Sequence, residues 1–180
     1  MRDEELERLF RLYHVPLVRY LTRRLGDRDW AEEVAQETFL RALRQEALTS
    51  ERSWLFAVAT NLVRDQARKD ESRRRHLQLL AAEAREQERE EPADDAEHTQ
   101  ERAHERAMAR KAVDALAERD RLALLMREEG LDYTEIAEAL GLSVGSIGTT
   151  LARARRRLAE TYEALQGEAA RRAGGGHGAS

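Results

Sequence analysis

The chain has 180 residues, of which 37% are charged and 41% hydrophobic, with 10 glycines, 2 prolines and a net charge of −4. This balance is typical of a nearly all-helical protein of one medium domain or two small ones. The absence of cysteine excludes disulfides and thiolate sites, and the histidines show no metal-ligand spacing, so we expect neither a metal nor a cofactor. With no apolar run long enough for a membrane span and no signal-peptide core, a cytoplasmic location without membrane insertion is expected.

The first third of the chain is predicted to form four helices. Apolar residues at helical spacing mark the first, and Pro16 suits the first turn of the second, which would end at Gly26. Asp29 and Glu32 have the spacing of a capping box, so the third helix is expected to begin there. The polar face of this third helix presents Glu33, Gln36, Glu37 and Arg41.

A polar loop over residues 45–52 separates this helix from a long fourth one that is expected to begin at Ser53. Side chains at helical spacing share one polar face of the fourth helix. They are Asn61, Asp65 and Arg68, with Arg64 and Lys69 nearby.

The middle of the chain is acidic and contains few large apolar side chains. Such a composition cannot bury enough surface to offset the entropy of an ordered chain. We therefore predict two small helical domains, residues 1–76 and 108–166, joined by a flexible acidic linker over residues 77–107. The glycine-rich tail, residues 167–180, is expected to be disordered.

Residues 132–158 are predicted to form a helix-turn-helix. Asp132 and Glu135 have capping-box spacing, and Gly141 supplies the left-handed residue that ends the first helix. The second helix has an apolar stripe, Ile147 to Leu158, that leaves hydroxyls and arginines outside, a pattern suited to the major groove of DNA. An amphipathic hairpin with a solvated basic end is the alternative. The outward residues are Ser143, which also caps the helix, Ser146, Thr149, Thr150, Arg153, Arg156 and Arg157.

Two blocks of this sequence together resemble the extracytoplasmic-function sigma factors of bacterial RNA polymerase. The N-terminal block is AEEVAQETFLRAL (31–43) with RSWLFAVATNLVRDQAR (52–68), and the C-terminal block is YTEIAEALGLSVGSIGTTLARARRRL (133–158). Either block alone is moderately specific, because helix-turn-helix motifs are common. Both in this order with an acidic segment between them are highly specific.

The resemblance implies roles that the residues alone do not supply. The face of Glu33, Gln36, Glu37 and Arg41 would dock on the β′ clamp helices, although by itself it would be interpreted as solvated ion pairs. Asn61, Arg64, Asp65, Arg68 and Lys69 would contact melted −10 DNA, and the 45–52 loop would hold a flipped base. The helix-turn-helix residues 143–157 would contact duplex −35 DNA.

The resemblance also implies partners: the RNA polymerase core, through the β′ clamp helices and the β flap, promoter DNA and, as a candidate, an anti-sigma factor. Family members usually carry a basic residue where this chain has Gly148, which leaves its −35 preference open. We expect a non-enzymatic sigma factor, because the sequence has no phosphate-binding glycine loop and no clustered histidines. A free-standing helix-turn-helix regulator that binds duplex DNA without polymerase is the alternative.

Overall fold

The computed structural model describes residues 3–78 and 98–174, and these form helices joined by short connections. They fall into two compact units, one on each side of the interval between the two ranges. Within the described residues no helix is long and apolar enough to cross a membrane. The all-helical prediction of two small domains is confirmed.

The first unit is a three-helix arrangement in which every helix packs on the other two. Its helices are α1 (Asp3–Leu25), α2 (Arg28–Leu43) and α3 (Glu51–Gln78). The prediction of four helices in this segment was wrong, because Pro16 lies inside α1 and does not begin a new helix. Proline removes the donor for the carbonyl of Leu12, a residue on the exposed side of α1, where water can replace that donor.

Helix α2 begins two residues earlier than its sequence suggested. Its N-cap is Asp27, whose side chain accepts a hydrogen bond from the backbone N–H of Trp30 at 3.0 Å. The prediction that Asp29 caps this helix was therefore wrong, and Asp29 instead lies in the first turn. An acid there still interacts favourably with the helix dipole.

A buried polar contact joins α1 to α3 at the centre of the first unit. The Tyr20 hydroxyl lies 2.8 Å from Oγ1 of Thr60, which itself donates to the Phe56 carbonyl at 2.6 Å. Because Thr60 has one hydroxyl hydrogen, Tyr20 must be the donor to Thr60. Burial raises the pKa of Tyr20, so the phenol keeps this proton at neutral pH.

The second unit is organised around its last helix, α7 (Val144–Gly174), which packs against the three helices before it. These are α4 (His98–Asp114), α5 (Glu118–Glu128) and α6 (Tyr133–Leu140). The buried side chains include Leu122, Met126 and Ile136 together with the Ile147–Leu151–Ala154 stripe of α7. The predicted inward stripe of the helix-turn-helix is therefore confirmed.

The second unit begins earlier and ends later in the sequence than predicted. Helix α4 begins at His98, so residues 98–107 of the predicted linker are helical, and α7 continues to Gly174 into the predicted tail. Alanine, glutamate and arginine dominate both segments and are strong helix formers, which outweighs the shortage of apolar side chains. Residues 77–78 of the predicted linker form the end of α3. The rest of the predicted linker and tail, residues 79–97 and 175–180, lies outside the described residues.

Candidate nucleic-acid and protein interfaces

Helix α2 presents an exposed polar face opposite its buried side. Glu33, Gln36 and Arg41 are exposed, and Glu37 is partly exposed. Nε of Arg41 donates to Oε1 of Glu37 at 2.9 Å, one turn away. An exposed pair of this kind contributes little to folding, so both side chains can exchange it for contacts with a partner at small cost.

Leu40 lies in the middle of this polar face, and sequence analysis missed it. Its side chain is 52% exposed, as large an exposure as any leucine among the described residues shows. The spacing of Leu40 from Glu33, Gln36 and Glu37, at seven, four and three residues, could have revealed it. We call these four residues together with Arg41 the α2 surface.

Helix α3 carries the second predicted set on its solvent side. Asn61, Asp65, Arg68 and Lys69 are exposed, as the sequence predicted, while Arg64 is partly buried. Nη1 of Arg64 donates to Oδ1 of Asn61 at 3.4 Å. This hydrogen bond orients the Asn61 amide, so that its NH2 group points away from Arg64. We call this set of five residues the α3 surface.

The connection between α2 and α3 is an exposed loop of residues 44–50. Its far end is fixed to α1, because the carboxylate of Glu51 forms an ion pair with Arg8 and accepts a hydrogen bond from Tyr13 at 3.3 Å. The predicted loop is present, but the prediction that α3 begins at Ser53 was wrong by two residues, because α3 begins at Glu51. An exposed loop with an anchored end can bind a ligand without loss of the helix that follows.

The turn of the helix-turn-helix has the predicted caps at both positions. The Glu135 N–H donates to Oδ1 of Asp132 at 2.8 Å, and the Asp132 N–H donates to Oε2 of Glu135 at 2.9 Å. Gly141 has φ 66°, and the Leu142 N–H donates to the Ala137 carbonyl at 2.9 Å. These bonds satisfy backbone groups at both ends of α6 and set the direction in which α7 begins.

Most of the residues predicted to face outward on α7 are exposed, but the prediction was wrong for Thr150. Ser143, Thr149, Arg156 and Arg157 are exposed and Ser146 is partly exposed, whereas Thr150 is only 3% exposed. Thr150 follows Ile147 by three residues, so it belongs to the buried stripe and its side chain cannot reach DNA. The α7 surface, as the structure defines it, consists of Ser143, Ser146, Thr149, Ala152, Arg156 and Arg157.

Arg153, another predicted DNA contact, is held in an ion pair within its own unit. Its Nε and Nη2 atoms donate to the two carboxylate oxygens of Asp120 on α5, at 2.7 and 2.5 Å. Asp120 is 4% exposed, whereas 47% of the Arg153 side chain reaches solvent. The hydrogen bonds lower the pKa of Asp120 and raise that of Arg153, so both groups stay charged and α7 is fixed against α5.

We expect this ion pair to make the second unit sensitive to acid. Because the pKa of Asp120 is lowered in the folded state, the pair stabilises the unit above about pH 4 and this contribution is lost as pH falls through the lowered pKa. Asp120→Asn should therefore lower the thermal midpoint of unfolding at neutral pH and should flatten its fall as the pH is lowered below about 5. Circular dichroism melts at several pH values measure both effects.

The matched control for this prediction is Glu160→Gln, which removes a carboxylate from the exposed side of α7. It should change neither the midpoint at neutral pH nor its acid dependence. Equal acid sensitivity of the wild type and Asp120→Asn would contradict the assignment.

Two glycines of the helix-turn-helix should respond oppositely to replacement by alanine. A Cβ on Gly148, inside α7, would meet only Cε2 of Tyr133, at an ordinary contact distance of 3.7 Å. Gly148→Ala should therefore raise the free energy of unfolding by up to about 1 kcal/mol, the helix-propensity difference. Gly141→Ala should lower it by about 1–2 kcal/mol, because a Cβ disfavours positive φ. Urea denaturation of both variants checks this, and changes of the same sign would contradict it.

The described residues contain no group of histidine, aspartate or glutamate side chains arranged to hold a metal ion. Beyond Thr149, α7 carries exposed arginines, of which Arg156 and Arg157 belong to the α7 surface. Guanidinium groups at this spacing suit the phosphates of a DNA backbone.

Each of the two units matches a model of a known protein family. The protein-family models Sigma-70 region 2 and Sigma-70 region 4 match residues 9–74 and 106–158. The chain is 31% identical over 160 residues to RNA polymerase sigma factor YlaC of Bacillus subtilis (strain 168), covering 86% of this chain and 90% of YlaC. It is 30% identical over 152 residues to the ferric citrate uptake sigma factor FecI of Escherichia coli (strain K12), covering 82% and 85%.

Among solved structures, the fold matches the sigma factor RpoE of Bartonella quintana, crystallised in complex with the anti-sigma factor NepR. The TM-score is 0.63 at 23% identity, and the match covers 89% of this chain and 98% of RpoE. At this identity the likeness establishes a shared fold.

Proposed function

The chain belongs to the sigma-70 family of RNA polymerase sigma factors, and from this membership we propose a separate role for each of its exposed surfaces. It is a sigma factor of the extracytoplasmic-function type, which binds the polymerase core and directs promoter recognition and opening. The observation that carries this function is the order of its two units, a region 2 match followed by a region 4 match that contains the helix-turn-helix. We propose that it is not an enzyme and acts in the cytoplasm with the polymerase.

The α2 surface is proposed to dock on the β′ clamp helices. Its acids and amide suit a basic partner, and Leu40 adds an apolar group that a partner can bury. The alternative is a face used only for solvation, and it predicts that replacing Leu40 leaves core binding unchanged. We propose that the charged side chains of the α2 surface orient the chain as it meets the β′ clamp helices, and that burial of Leu40 contributes most of the binding free energy.

The α3 surface is proposed to contact the −10 element as melted DNA. Its basic groups suit backbone phosphates, and the oriented amide of Asn61 can donate to a base edge that duplex DNA would hide. The loop over residues 44–50 is proposed to hold a base flipped out of the stack.

The α7 surface is proposed to contact the −35 element as duplex DNA, with the second unit also meeting the β flap. Arg153 is proposed to be a positioning residue, because its Nε and Nη2 atoms donate to the buried carboxylate of Asp120. Arg156 and Arg157 are exposed and are the proposed phosphate contacts. The complex of RpoE with NepR supports an anti-sigma factor as a candidate partner here too.

Run-off transcription from genomic fragments tests this proposal. Core enzyme with this chain should initiate from a defined subset of fragments on which core alone is inactive. A free-standing regulator would give no transcripts with core and would instead bind duplex DNA by itself, which would overturn the proposal.

A further inference from the structure

The first turns of α7 carry few of the side chains that normally recognise bases. Residues 144–152 include no lysine, arginine, asparagine, glutamine, aspartate or glutamate. Bidentate hydrogen bonds to guanine come from arginine or lysine and those to adenine from asparagine or glutamine. This part of the helix therefore cannot distinguish purines in the usual way.

The hydroxyl groups of this segment are also committed within the chain. Oγ of Ser146 donates to the Ser143 carbonyl at 2.8 Å, and Oγ1 of Thr149 donates to the Ser146 carbonyl at 3.0 Å. Thr150 is buried, and two of the five N–H donors of Arg153, on Nε and Nη2, are held in the ion pair described above. A base would therefore have to displace one of these bonds to accept a hydrogen bond from a hydroxyl of residues 144–152.

What the segment exposes is apolar. Val144 is 47% exposed, and Thr149 and Ala152 are exposed one turn apart, on the side opposite the buried Ile147. A Cβ placed on Gly145, one turn before Thr149, would meet no atom within 4 Å, so nothing in the protein obstructs a close approach of DNA on that side. Methyl groups are therefore the chemistry that α7 offers to the edges of base pairs.

We infer that α7 recognises thymine methyl groups in the −35 element, with the methyl group of Thr149 as the main specificity determinant and Ala152 beside it. The inference rests on the proposed function, in which α7 enters the major groove. The C5-methyl of thymine is the apolar group that base pairs display in that groove, and alanine and the threonine methyl are among its known contacts.

The test uses two variants of one residue, each with core polymerase. Thr149→Val keeps the methyl and removes the hydroxyl, whereas Thr149→Ser keeps the hydroxyl and removes the methyl. A preferred −35 sequence is first selected with wild-type holoenzyme from promoters randomised in that region. Each thymine in the selected sequence is then replaced singly by deoxyuridine, which removes only the methyl, and each guanine by 7-deazaguanine, which removes the N7 acceptor.

Wild type and Thr149→Val should both lose about fourfold in promoter affinity at one or more uracil positions, the effect expected from one buried methyl-sized group. Thr149→Ser should bind about fourfold more weakly and should be insensitive to the same uracil. The inference would be overturned if Thr149→Val lost affinity for the selected promoter and Thr149→Ser did not. It would also be overturned if 7-deazaguanine weakened binding and uracil did not. Either result would leave the −35 assignment intact. A selection that yields no −35 preference at all would overturn the assignment of α7 as well.

Discussion

Replacing Leu40 with aspartate is expected to weaken binding of the chain to core RNA polymerase by about 2–3 kcal/mol, which is roughly thirtyfold to more than a hundredfold in Kd. The reason is that Leu40 is the apolar centre of an otherwise polar surface, and a partner that covers it would have to bury a carboxylate instead. Titration of labelled core enzyme with each variant measures the effect.

The chain offers a closely matched control for this experiment. Leu12 on α1 is also 52% exposed, so Leu12→Asp makes the same chemical change on a different helix. It should leave core affinity within about twofold of wild type, because it lies outside the α2 surface. Equal losses for the two variants would show that the effect is general and not a property of the proposed docking surface.

Charge reversal on the same surface should have a smaller effect. Glu37→Lys breaks the pair with Arg41 and places two cations one turn apart, which should weaken core binding about tenfold at low salt and less at high salt. The helix content should not change, because the pair is exposed. Unchanged core affinity at both salt concentrations would contradict the assignment of Glu37 to the interface.

Replacing Asn61 with alanine is expected to impair promoter opening by roughly fivefold to a hundredfold, the range for loss of one specific amide–base contact of about 1–3 kcal/mol. Alanine has the higher helix propensity, so α3 should not be weakened and a loss of activity cannot reflect unfolding. A promoter with a premelted −10 region should recover only part of the activity, because the base contact is still missing.

The control for Asn61 is Gln100→Ala, which removes an exposed amide from α4 in the other unit. Transcription from a panel of single-base promoter variants compares the two. Asn61→Ala should lose discrimination at −10 positions alone, and Gln100→Ala should lose none. Full recovery of Asn61→Ala on premelted DNA would contradict a base contact and would leave only a role in strand separation.

The parts of this fold that sequence predicted well are those that local rules determine. The capping box of Asp132 and Glu135 and the left-handed Gly141 depend on residues within four positions of each other, and both were found where predicted. Pro16 and Asp29 show the limit of the same rules. A proline on an exposed side is tolerated inside a helix, and the acid two residues before Asp29 competes for the cap.

The surface residues were harder to predict, because their role depends on side chains far away in sequence. The ion pair of Arg153 joins positions 33 residues apart, and no local pattern predicts it. Thr150 was predicted to lie on the outward face of α7 with the other hydroxyl residues that could contact DNA. Its spacing from Ile147 and Ala154 instead places it in the buried stripe. Leu40 is apolar, yet its position around α2, four residues from Gln36 and three from Glu37, places it on the polar face, which hydrophobicity alone does not indicate.

Binding to promoter DNA with and without polymerase tests the central claim most directly. Purified chain and core enzyme are mixed, separately and together, with a fluorescent fragment that the chain directs core to transcribe, and affinity is measured at near-physiological salt. The account predicts tight, sequence-dependent binding with both proteins present and at least about a hundredfold weaker binding by the chain alone, because the two DNA-contacting units are positioned by the polymerase. Equally tight and sequence-specific binding by the chain alone would contradict a sigma factor and would identify a free-standing regulator.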